Sequence, residues 1–467
     1  MSTSTSERGR TGDTRRAFLR RSASLVGTLG VAGSFEALWM RAAGGAPRSP
    51  SAGYGELTHV TDENTGLDLL KLPQGFRYVS FGWTGDPMSD ETPMPSKHDG
   101  MAVIAAKSGE VVLCRNHEVD FTGKPIGGPA ITYDLQGPAG CVNLRFDTKA
   151  GKLINAWPSL SGTSRNCAGG PTPWGSWLTC EETMNGPGTK HGEKTLEFTQ
   201  EHGWVFEVPA EKAASPVPLR DMGRFTHEAV AVDPKTGIVY ETEDSRRAGF
   251  YRFVPKTKGQ LAKGGRLQMM KVAGLSGSEP RGQVFGVTWV DIEDPQRPHS
   301  PGTEDFHGVY HQGKRQGATT FGRLEGCCFA DGAIYFVSTS GGAVGKGQVW
   351  EYQPRGDTLR LVFESPSADV LNRPDNITVS PRGGIVLCED AGVVPERLLG
   401  LTRDGIVFPF AENNILLMHH KNGFRGNFRN SEWCGATFSP DGEWLFANIQ
   451  TPGVTFAITG PWKEGGL

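Results

Sequence analysis

Six stretches of this chain repeat one design: a polar or acidic pair, an apolar run, a turn, a second apolar run, and another polar or acidic group. The clearest copy leaves His227-Glu228 along Ala229-Val230-Ala231-Val232, turns at Asp233-Pro234-Lys235-Thr236-Gly237, and returns by Ile238-Val239-Tyr240 to Glu243-Asp244. A second leaves Asp375 by Ile377-Thr378-Val379, turns at Ser380-Pro381-Arg382-Gly383-Gly384, and climbs Ile385-Val386-Leu387 to Glu389-Asp390. A third joins Glu432 to Asn448 and Gln450 across Ser439-Pro440-Asp441-Gly442, and a fourth joins Glu325 to Ser338-Thr339-Ser340 across Asp331-Gly332. Two looser copies join His98-Asp99 to His117-Glu118 across Ser108-Gly109, and Asn166-Cys167 to Glu181-Glu182 across Pro173-Trp174-Gly175. Short apolar runs on either side of turn residues read as β-hairpins.

The second halves end near residues 118, 182, 243, 339, 389 and 449, which is every 50 to 64 residues apart from one gap of 96. A repeat of that period, whose units cannot bury their faces alone, predicts an all-β, six-bladed β-propeller with a central site. The 64 Gly and 31 Pro in 467 residues agree with so many turns. One domain over 46–467 is expected, and the Lys-, Gly-, Arg- and Pro-rich gap, about 255–320, reads as an insertion and a candidate lid. An irregular sandwich is the rival architecture, because hairpins alone do not fix closure.

A hairpin brings the chain back to the side it left, so blades around one axis would gather their polar ends at one mouth. Crowded carboxylates repel and raise one another's proton affinity unless cations stand between them. Metal ligation is therefore expected of Asp99, Glu118, Cys167, Glu181, Glu182, Glu228, Glu325, Asp375 and Glu432. His98, His117, Asn166, His227, Glu389 and Asp390 are expected to support those ligands from behind. Many oxygen donors suit Ca²⁺ or Mg²⁺, and added thiolate or imidazole suits Fe, Mn or Zn. Cys167 differs from the other seven cysteines in lying in a polar, Gly-rich stretch, which favours a ligand; the rest sit mostly in apolar runs and read as buried free thiols.

The net charge of −3 is uneven. Residues 1–50 hold eight Arg against Glu7, Asp13 and Glu36, a net +5, which leaves −8 on the remainder. An acidic body excludes a nucleic-acid partner, since phosphate binding needs a basic face. The basic start, Thr14-Arg15-Arg16-Ala17-Phe18-Leu19-Arg20 before a mildly apolar run to Met40, reads as a twin-arginine leader over 1–45. It implies the twin-arginine export machinery as partner, a periplasmic or secreted product, and no stable membrane association after cleavage. No other stretch is long and apolar enough to span a bilayer.

The run Asn166-Cys167-Ala168-Gly169-Gly170-Pro171-Thr172-Pro173-Trp174-Gly175-Ser176-Trp177-Leu178-Thr179-Cys180-Glu181-Glu182 resembles the signature of the PhoX family of alkaline phosphatases. His98-Asp99-Gly100-Met101, Asn116-His117-Glu118, Phe225-Thr226-His227-Glu228, Arg373-Pro374-Asp375 and Phe438-Ser439-Pro440-Asp441-Gly442 also resemble segments of that family, in the same order. The resemblance, from about residue 55 to the end, implies a propeller phosphatase using iron and calcium around a central oxygen-bridged cluster, with a small phosphoester as substrate. It makes Cys167 an iron ligand, makes Glu182 or its neighbour Glu181, Glu228 and Asp375 ligands of iron or calcium, and makes Arg373 the clamp on the phosphate. Asp375 departs from the Glu common in the family. Such a protein is expected to act as a monomer. Two rivals remain from the residues themselves: a calcium-dependent lactonase or phosphodiesterase, and a non-catalytic periplasmic binding propeller in which calcium is structural.

Overall fold

The computed structural model describes residues 52–467 apart from 276 and 278; the leader expected over 1–45 lies outside them. The turn chemistry read from the sequence is realised locally. Ser108-Gly109 and Asp331-Gly332 both take paired positive φ angles, 58° and 91° in one, 51° and 81° in the other, the twist that suits a two-residue hairpin.

The first strand of each repeated hairpin lies at an edge of an antiparallel sheet: β1 (His98–Lys107), β2 (Asn166–Pro171), β3 (His227–Val232), β4 (Leu324–Ala330), β5 (Pro374–Val379) and β6 (Trp433–Phe438), with β3 and β4 at opposite edges of one nine-stranded sheet. Each packs against the next, and β6 packs back against β1, so the six make a closed circuit. Outward from β1 run Glu110–His117, Ala139–Asp147 and Lys152–Thr163; outward from β2 run Ser176–Glu181 and Val205–Pro209. The architecture is all-β and propeller-like, with few helices. Closure comes from the N-terminal side, because Arg77–Phe81 pairs antiparallel with Val454–Thr459 and becomes the outer strand of the β6 sheet. Val79 and Phe81 of that strand are buried, each contributing roughly 1.5–3 kcal/mol of apolar burial. Tyr54 Oη donates across to the carbonyls of Trp462 at 2.9 Å and Leu467 at 3.0 Å, tying both ends of the described chain together.

The segment 255–320 is only partly the insertion expected of it. Gly265–Val272 is the fourth strand of the β3 sheet, and Val284–Asp291 pairs with both Gly265–Val272 and Thr358–Glu364, joining two neighbouring sheets along their outer edges. The helix α1 (Gly308–Arg315) buries Val309 and Tyr310 against the same core as Met269. What remains irregular includes His307, whose Nε2 lies 3.1 Å from Ser245 Oγ, just past the end of Val239–Glu243. Among the described residues no helix is long and apolar enough to cross a membrane. All eight cysteines are free, and only Cys328 is less than fully buried.

Candidate metal centre

The site is built by one backbone irregularity used repeatedly. In β1, His98 pairs with His117, and the next pairing is Met101 with Arg115, so Asp99 and Gly100 together face a single residue. The same bulge recurs in β2, β3, β4 and β5, one residue into each strand, and its first position carries Cys167, Glu228, Glu325 and Asp375 in turn. A bulge re-aims a side chain out of the alternating pattern, and here it turns all five toward common ground. In β6 the bulge falls one residue later, after Cys434, and at Gly435 a Cβ would come within 2.6 Å of both Asn448 Nδ2 and the Asp99 carbonyl. That position supplies no ligand, and Cys434 Sγ rests 3.1 Å from the His98 carbonyl instead.

The returning strands add Glu118 and Glu182. Their amides donate to the carbonyls of Lys97 at 2.8 Å and Arg165 at 2.9 Å, the residues that precede β1 and β2. Three triads result, in each of which the ligand atoms lie within 4.8 Å of one another: Asp99–Glu118–Cys167, Cys167–Glu182–Glu228 and Glu228–Glu325–Asp375. Cys167 and Glu228 are shared, so the three form one continuous cluster. Cys167 Sγ lies 3.2 Å from Glu228 Oε1, while Glu228 Oε2 is buried without a hydrogen-bond partner.

Burial, the largest cause for each, pushes Asp99, Cys167, Glu182, Glu228, Glu325 and Asp375 toward their protonated forms. Burial first and Glu118 second raise Asp99; burial raises Glu182, Glu228, Glu325 and the Cys167 thiol well above their ordinary values. Asp375 is raised to about 7 by burial, with Asp390 the next cause. A carboxylate cluster in this condition, with an orphaned buried oxygen and a thiol among its donors, is suited to cations, which would reverse those shifts. The donor set fits hard cations at the all-oxygen end and a softer transition metal at the thiol.

Arginines stand around the cluster in one recurring place, immediately before an inner strand and in the left-handed backbone region: Arg165 at φ 51°, Arg323 at 48° and Arg373 at 54°. Arg165 binds Glu118 at 2.8 Å and Glu182 at 3.1 Å, and Arg323 binds Asp244 twice at 2.9 Å and also Glu325. Arg373 is exposed, and its guanidinium has no partner among the described residues. It is a free planar fork two residues before Asp375 in the chain.

Several expected residues have other work. Glu181 is fully buried away from the triads, accepting from Ser164 N at 2.9 Å, Gly203 N at 2.8 Å, Trp204 N at 3.1 Å and His202 Nδ1 at 2.6 Å. Glu389 is clamped by Arg397 at 2.6 Å through both oxygens. His98, His117 and His227 do not support ligand carboxylates; they bond the backbone carbonyls of Pro95, Ser96 and Gly223 at 3.1, 2.9 and 3.1 Å. Asn166 bonds Thr163 and Thr179. Glu432 and Asp390 are half-buried and join no triad, although Asp390 and Asp99 are, after burial, the chief causes of Glu432's raised pKa.

Sequence reasoning missed the residues that hold the bulges in place. Asn116 Nδ2 donates to the Cys167 carbonyl at 3.0 Å, Asn448 Nδ2 to the Asp99 carbonyl at 2.6 Å, and Thr242 Oγ1 to the Glu325 carbonyl at 2.6 Å. Each comes from the preceding hairpin around the circuit, two residues before the polar group that closes that hairpin. That shared spacing, at 116, 242 and 448, was a signal available in the sequence.

Comparison with known proteins places this geometry. The profile of the family described as alkaline phosphatase PhoX matches residues 52–125 and 129–453. Among solved structures, PhoX of Pseudomonas fluorescens in complex with vanadate, a transition state analogue, is similar with a TM-score of 0.63 at 17% identity, covering 89% of this chain and 99% of that one. That likeness shows the fold. A gluconolactonase of Xanthomonas campestris covers 89% and 99% at 12% identity, but its TM-score of 0.41 carries no argument. A search of curated proteins returns no match.

Proposed function

The chain belongs to the PhoX family of alkaline phosphatases, and from that premise we propose that it hydrolyses phosphate monoesters at an iron and calcium cluster in the centre of a six-bladed propeller. The observation that carries this reading is the continuous run of three triads sharing Cys167 and Glu228. Cys167 with Asp99, Glu118, Glu182 and Glu228 offers the thiol-containing end, suited to iron; Glu228, Glu325 and Asp375 offer only oxygen, suited to calcium. Cations held there would neutralise the carboxylates and bind and polarise the phosphoryl oxygens of a substrate. Asp375, one methylene shorter than Glu, would hold a cation together with Glu228 and Glu325.

Arg373 is the phosphate clamp. A guanidinium presents two parallel donors to phosphate oxygens and stabilises charge that develops during transfer, and this one is not committed to a carboxylate as Arg165 and Arg323 are. The leader over 1–45 exports the protein through the twin-arginine machinery, and the 46–467 domain acts in the periplasm or outside the cell, as a monomer on small phosphoesters. The test is phosphate release from a panel of monoesters by metal-replete protein. Arg373→Ala is expected to lower kcat by about 100-fold, the cost of losing one transition-state donor. A metal-replete protein inert toward the whole panel would overturn the reading.

A further inference from the structure

Phe121 is an exposed aromatic held at a conformational cost. Its residue is 45% exposed, and its φ of 67° puts a bulky side chain in the left-handed region, which costs of order 1–3 kcal/mol. Strain of this kind persists where the surroundings impose it, and here they are part of the candidate site. Three residues earlier is Glu118; between them, Val119 O accepts from Arg165 N at 3.1 Å, and Asp120 Oδ1 lies 3.5 Å from Arg165 Nε. The segment bearing Phe121 is thus fastened to the arginine that joins Glu118 to Glu182.

A second segment leaves from Glu182. It runs out to a two-stranded hairpin, Lys190–His191 paired with Lys194–Thr195, and the His191 ring meets Phe121 edge-on, with centroids 4.6 Å apart and planes at 64°. Two segments, each departing from a candidate ligand, therefore converge in an aromatic pair, and His191 is itself exposed.

We propose that Phe121 and His191 form a leaving-group subsite, which stacks an aromatic ring carried by the alcohol portion of a phosphate monoester whose phosphoryl group sits at the carboxylate and thiol cluster. The inference rests on the phosphatase reading. An aromatic ring gains offset or edge-on contact with these two rings beyond the apolar area it buries, and a small aliphatic alcohol gains neither.

The test compares benzyl phosphate with glycerol phosphate, both esters of primary alcohols, on the metal-replete full chain. Phe121→Ala is expected to raise KM for benzyl phosphate about two- to tenfold relative to KM for glycerol phosphate, with the benzyl kcat retained. Phe121→Tyr is expected to restore the original ratio. An unchanged ratio in Phe121→Ala, or two KM values rising together, overturns the subsite. Should the unsubstituted protein cleave no monoester of the wider panel, the phosphatase reading fails and the subsite falls with it; should it cleave other monoesters but not benzyl phosphate, the subsite alone is overturned.

Discussion

Glu181 and Glu182 are neighbours in sequence and do opposite work. Glu182 turns into the cluster, while Glu181 closes a buried network in which His202 Nδ1 lies 2.6 Å from Glu181 Oε1 and His202 Nε2 lies 3.4 Å from Asp134 Oδ2. Burial alone would lower the pKa of His202, but Glu181 and then Asp134 outweigh it and raise the imidazole to about 9. A histidine raised in the folded state stabilises the fold fully below its unfolded value near 6.5 and loses that contribution as pH rises through about 9. Unfolding free energies from urea titrations should therefore fall over that window, and Glu181→Gln should lower them by about 3–5 kcal/mol at pH 6 and flatten the slope. An unaltered slope would exclude the pair as its source. The sequence presented two acids at the end of one strand without saying which would turn inward. Their separation rests on His202, a residue with no place in the repeat and hence no signal.

At the scale of the element, hairpins and their turns were legible because Asp-Gly and Pro-rich turns leave strong marks. The bulge was not, since it breaks the alternation by which strands are read and leaves only an unremarkable residue behind: Gly100, Ala168, Ala229, Gly326 or Asn376. This also explains why Glu432 was expected as a ligand. It precedes β6 where arginines precede β2, β4 and β5, and the bulge that would have supplied a ligand is displaced onto Gly435. The inner strands approach one another so closely that side chains are excluded between them. A Cβ at Gly170 would lie 1.9 Å from the Val230 carbonyl oxygen of β3, backbone that cannot swing aside. Gly170→Ala is expected to destabilise the fold by about 1–3 kcal/mol or more, read as a lowered denaturation midpoint; a midpoint unmoved from the parent's would contradict this packing.

Over the whole molecule, the count of six repeats anticipated the circuit of six inner strands, but not how it closes. Arg77–Phe81 is a single strand with no hairpin partner nearby, so nothing in its surroundings advertised that it would complete a sheet begun more than three hundred residues later. Likewise 255–320 reads as an insertion because its strands, Gly265–Val272 and Val284–Asp291, lie on the outer edge and carry none of the polar ends that mark the repeat. Closure matters to function because it is what brings side chains from five separate strands within a few ångströms. Bound cations, beside Arg165 and Arg323, would stabilise that arrangement with its carboxylates ionised. The most direct measurement is the metal content of the folded protein, by elemental analysis, beside that of Cys167→Ser and Glu228→Gln. Stoichiometric metal in the parent and a loss in both variants is the predicted result, because each residue belongs to two triads. A parent that is folded, free of metal and indifferent to chelator would contradict the account.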